Sequence, residues 1–107
     1  MKAETQRWLD DGLAAAREIQ SIGASAYLKN RRDALAIERL LEILGEAFVR
    51  IRDREPSVLD QITDAYLVIG MRNILAHGYD LIDPNRIVAA IEERLPILIQ
   101  EVEKIRQ

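Results

Sequence analysis

Cysteine is absent from the 107 residues, so no disulfide can staple the chain and no thiolate can hold a soft metal. The absence fits a reducing compartment, and the expected location is the cytoplasm. A single histidine leaves zinc little to bind apart from carboxylates, so no metal and no other cofactor is expected. The five glycines are scattered and form neither GxGxxG nor GxxxxGK[ST], which excludes the usual phosphate-cradling loops. No apolar run approaches the roughly 20 residues of a membrane span. The opening Met1-Lys2-Ala3-Glu4-Thr5-Gln6 meets charged and polar residues at once, unlike a signal-peptide core. Positive charge is also short. The net charge of −3 argues against a broad basic nucleic-acid coat, although a small local basic site remains compatible with it.

What is present reads as one helical domain over residues 1–107. Hydrophobic residues make up 49% and charged residues 31%, a balance that supports a single modest core rather than disorder. A first helix is expected over Thr5 to Ile22, where Leu9, Leu13, Ala16 and Ile19 share a face, with Gly23 as its stop. Gly23 to Asn30 reads as a connector with room for one short turn. A second helix is expected over Arg31 to Asp53, with Ile37, Leu41, Leu44, Phe48 and Ile51 on one seam and Pro56 beyond its end. A third should occupy Thr63 to Ala76, with Asp64 near its positive end and Gly78 as its C′ residue. The fourth has the clearest start, Asp83 as N-cap followed by Pro84. Its seam runs through Val88, Ile91, Leu95, Leu98, Val102 and Ile105, and Pro96 should kink or split it. The expected fold is therefore all-α, an antiparallel four- to five-helix bundle. The apolar stripes are broader than one small bundle needs, which suggests a homodimer through helical faces.

One stretch concentrates functional side chains: Gly70-Met71-Arg72-Asn73-Ile74-Leu75-Ala76-His77-Gly78-Tyr79-Asp80. Asn73 and His77 are i,i+4 neighbours, whereas Arg72 and His77 differ by about 140° on an ideal helix. They would not converge on a helix that ran on unchanged, but they can if it ends at His77, as Gly78 suggests, because the arginine side chain is long. Met71, Ile74 and Leu75 should point toward the bundle. A histidine at a helix C-terminus commonly does no more than cap the last carbonyls, and Arg-Asn on a helix is commonly a solvated face.

Arg72-Asn73-(three residues)-His77-Gly78-Tyr79 resembles the Arg-x4-His-x-Tyr signature of HepT toxins, a branch of the HEPN superfamily. Arg39-Leu40-Leu41-Glu42-Ile43-Leu44-Gly45-Glu46-Ala47 is similar to that family's helix-two stretch, and Leu95-Pro96-Ile97-Leu98 to its C-terminal Leu-Pro-x-Leu. Together the blocks cover nearly the whole chain. The stretch before the third helix departs from the family pattern: Pro56-Ser57-Val58-Leu59 keeps only its first proline.

The resemblance implies a metal-independent endoribonuclease with RNA as substrate, in which the 2′-OH attacks the adjacent phosphate. It assigns acid/base work to His77 and phosphorane stabilisation to Arg72, with Asn73 orienting His77 or binding a phosphate oxygen. Because each chain has one histidine, separate histidine acid and base imply a dimer with a shared cleft. Glu42 and Glu46, one turn apart, are candidates to hold Arg72, and a solvated charged face is the alternative. Tyr79 has two readings: a residue that simply packs against the helix end or, as the resemblance implies, the acceptor of AMP from a cognate minimal nucleotidyltransferase antitoxin. Lys29, Arg31 and Arg32 could extend an RNA-binding surface, but Asp33 and Glu38 follow closely and favour an ordinary solvated face. Trp8 and Phe48 read as core or interface residues rather than base-stacking platforms. Two rival functions remain: a non-catalytic accessory subunit of such a nucleotidyltransferase, and a plain helical dimerisation module.

Overall fold

The computed structural model describes residues 1–78 and 82–107. It is all-α, 86% helical, with no strand among the described residues. The elements are α1 (Ala3–Ile22), α2 (Ala24–Lys29), α3 (Arg31–Arg54), α4 (Pro56–Leu59), α5 (Ala65–His77), α6 (Pro84–Ala89) and α7 (Leu95–Ile105), with a π-helical turn (Ala90–Arg94) between the last two.

The three expected seams form the core. Leu9, Leu13, Ala16 and Ile19 of α1 face Ile37, Leu41, Leu44, Phe48 and Ile51 of α3, and all are 3% exposed or less. Burying each of the larger aliphatic or aromatic side chains contributes about 1.5–3 kcal/mol, which offsets the backbone entropy lost on ordering the helices. α3 is the central element, packing against α1 on one side and α5 on the other. Polar pairs on the surface give the directions. Glu4 meets Arg54 at 3.0 Å, and the backbone N–H of Lys2 donates to Glu55 at 2.9 Å, so α1 starts where α3 ends. That hydrogen bond holds the Glu55 carboxyl below its usual range. Arg106 pairs with Asp10 and Glu103 with Arg17, each at 2.6 Å, so α7 also runs antiparallel to α1. These exposed pairs define register more than stability.

Several expectations need correction. The segment from Gly23 to Asn30 is mostly helix. Gly23 ends α1 at φ +87°, the left-handed region open to glycine, and α2 then packs through buried Tyr27, whose hydroxyl donates to Glu38 at 2.8 Å. α1 begins at Ala3 rather than Thr5. α3 extends one residue further than expected and has an unforeseen cap, with the Asn30 side chain accepting from the Asp33 N–H at 3.2 Å. α5 starts at Ala65 rather than Thr63, because Thr63 donates from both its backbone and its hydroxyl to Glu101. Asp64 is its N-cap position but makes no capping bond; its carboxylate lies 3.8 Å from Arg94. Gly78 occupies the C-cap, at φ −140°, and its N–H closes onto Ile74 at 2.6 Å, so it is not a left-handed C′ glycine.

Asp83 caps α6 as expected, accepting from the Asn85 N–H at 2.9 Å, with Pro84 next. Pro96 does split the last helix, but the break lies upstream. Its ring would strike the carbonyl four residues earlier in a continuous α-helix, and the π turn at 90–94 widens the ladder before α7 starts with Pro96 in its first turn.

Candidate active site

Glycine determines where Arg72 sits. α3 and α5 cross at Gly45, and a Cβ added there would collide with the Cβ of Arg72 and come within 2.7 Å of its Cγ. The bare glycine therefore lets the arginine stem lie directly on α3. From there Nη2 of Arg72 donates to Oε2 of Glu46 at 2.8 Å, and Nη1 donates to Oδ1 of Asn73 at 2.9 Å. Glu46 also receives Arg50 at 3.4 Å on its other oxygen. A guanidinium carries five N–H donors, so two anchored ones leave three for a ligand. Such a forked cation, fixed in advance, suits an anionic oxygen that gains charge during reaction.

Of the two carboxylates expected to hold Arg72, only Glu46 does. Glu42 instead faces Arg39, at 3.6 Å. The difference follows from the helix: position 46 lies beside the Gly45 crossing, whereas position 42 lies a turn away.

Arg72 opens onto a groove of about 580 Å³ along the outer ridge of α3. Arg39, Glu42, Ile43, Glu46 and Arg50 make its floor, Trp8 and Asp11 of α1 one wall, and Arg72 and Ala76 of α5 the other. Three acids and three arginines share it, so the groove is polar without being strongly basic. Trp8 was expected in the core or an interface; it is half-buried, packed on the core and lining this groove. Phe48 is fully buried, as expected.

His77 does not line the groove. It is the last residue of α5, exposed to solvent, and no side-chain hydrogen bond holds its ring among the described residues. The helix does end at His77, the condition under which the two were expected to converge, yet Arg72 lines the groove and His77 does not. Asn73 is also exposed, and its one side-chain partner among the described residues is Arg72, not His77. Met71 and Leu75 are buried as expected, while Ile74 is only partly so. Tyr79 lies outside the described residues. No helix of the described residues is long and apolar enough to cross a membrane.

Comparison with known proteins agrees with this architecture. The family model "Ribonuclease HepT-like" matches residues 9–105. The chain is also 30% identical over 110 residues to a protein of Methanocaldococcus jannaschii named "Putative RNase MJ1380", an alignment covering 95% of this chain and 96% of the relative. No solved structure matches. The chain belongs to the ribonuclease HepT-like family, and its enzyme class is that of a ribonuclease.

Proposed function

We propose that the chain is a metal-independent endoribonuclease of HEPN type and the toxin of a toxin–antitoxin pair, with Arg72 and His77 as its catalytic residues. The observation that supports this most is the guanidinium of Arg72, clamped by Glu46 and Asn73 with donors to spare and lying within the family-matched segment. RNA cleavage by internal attack needs such a group. The 2′-oxygen loses its proton and bonds to phosphorus, the phosphorane gains negative charge, and the P–O5′ bond breaks as the leaving oxygen takes a proton. Arg72 stabilises the phosphorane, and His77 moves protons.

The two residues diverge on one protomer, and a single imidazole cannot serve simultaneously as separate base and acid. A homodimer that apposes two α5 ends supplies both. The partner antitoxin is a minimal nucleotidyltransferase, for which Tyr79 is the AMP acceptor. A charged nucleotide two residues from His77 would block the cleft and repel RNA.

The chemistry predicts its own products. Purified protein incubated with single-stranded RNA in excess EDTA should yield 2′,3′-cyclic phosphate and 5′-hydroxyl ends, and a 2′-deoxy substitution at the scissile nucleotide should block the cut. Cleavage that disappears with EDTA and returns with a divalent ion would refute the metal-free mechanism. No cleavage of any RNA would favour the accessory-subunit role.

A further inference from the structure

We propose that the groove beside Arg72 is a nucleobase subsite in which Trp8 stacks on one unpaired base and the Asp11 and Glu42 carboxylates read its edge, favouring guanine. The inference rests on the ribonuclease reading and adds to it what the site recognises.

Three features support it. Trp8 is the sole tryptophan of the chain, half-buried and set in the wall of a charged groove rather than within the core. An indole face in such a place offers a flat apolar platform, and single-stranded RNA is commonly held by stacking splayed bases on aromatic rings. Next, the acids are the wrong sign for a phosphate track but the right sign for base N–H groups. Asp11 follows Trp8 by one helical turn on α1 and has no side-chain partner among the described residues, and Glu42 faces it from the groove floor with a loose contact to Arg39. Carboxylates only accept hydrogen bonds. Guanine alone among the four bases presents two adjacent donors, N1–H and the N2 amino group, on its pairing edge. Finally, the arginines flank this patch. Arg39 and Arg50 lie about 16 Å apart along α3 at 1.5 Å per residue, with Arg72 on the opposite wall. They provide phosphate contacts on either side of a seated base, and the base would lie in the groove that receives the Arg72 guanidinium.

The single tryptophan makes the test direct. A fluorescein-labelled 2′-O-methyl hexanucleotide of uridines with a single guanosine stays single-stranded and cannot be cleaved, because its attacking oxygens are blocked. Anisotropy of that oligonucleotide reports binding, and Trp8 emission read with an unlabelled copy reports stacking. Binding with quenched Trp8 emission is expected. Trp8→Ala should weaken binding on the order of tenfold, and Trp8→Phe should largely restore it. Asp11→Asn with Glu42→Gln should narrow the preference over 2′-O-methyl hexauridine, since an amide presents a donor as well as an acceptor. Binding by anisotropy with unchanged Trp8 emission would overturn the subsite and leave the ribonuclease reading standing. No binding together with no RNA cleavage would remove both. A Trp8 emission shift that follows protein concentration without RNA would assign the groove to a second copy of the chain instead.

Discussion

Arg72 shows how one residue acquires a fixed role. Its stem lies against Gly45, and two of its five donors are taken by Glu46 and Asn73. Little side-chain freedom is left to lose when an anion arrives, which is the energetic value of preorganisation. Arg72→Ala should therefore raise the cleavage barrier by about 2–4 kcal/mol, a rate loss of roughly thirtyfold to a thousandfold. Arg72→Lys should recover only part of it, because an ammonium cannot make the forked contact and cannot hold both anchors. Single-turnover cleavage at saturating enzyme measures this. A lysine variant at the full wild-type rate would mean that simple positive charge suffices at position 72.

The crossing of α3 and α5 is the element-scale feature that places Arg72. Gly45→Ala would push its new methyl into the arginine stem and toward the Val68 carbonyl, 3.4 Å away. The helices would have to separate, at a cost of about 1–3 kcal/mol for overpacking. A thermal melt should show the lost stability, and the cleavage assay should show a further loss at temperatures where the variant stays folded. An unchanged melt with unchanged activity would contradict the close approach. The helices were legible in the sequence wherever a seam ran for several turns, as along Ile37 to Ile51 or Val88 to Ile105. α2 was not, because six residues around a single buried Tyr27 give too few turns for a periodicity. The π turn was not legible either. Pro96 announced a break, but where the ladder widens is set by packing over residues 90–94.

At the scale of the whole molecule, the motif was legible and the groove was not. Arg72, Asn73 and His77 sit together in sequence, whereas Trp8, Glu42 and Arg72 meet only because α3 lies between α1 and α5. The Glu46 partnership was one of two readings, and the Gly45 crossing decided it. The divergence of Arg72 and His77 on one protomer makes assembly the remaining requirement. A homodimer is expected at micromolar concentration, with His77 of each copy beside the same cleft. Central to the account is that His77 carries protons in RNA cleavage rather than merely ending α5. One measurement addresses that most directly: RNA cleavage by His77→Ala, with sedimentation equilibrium and a melt on the same preparation. His77 is exposed and contributes little packing, so the variant should remain dimeric and melt within about 1 kcal/mol of wild type while cleavage falls to background. A folded, dimeric His77→Ala protein that cuts RNA at the wild-type rate would contradict the account.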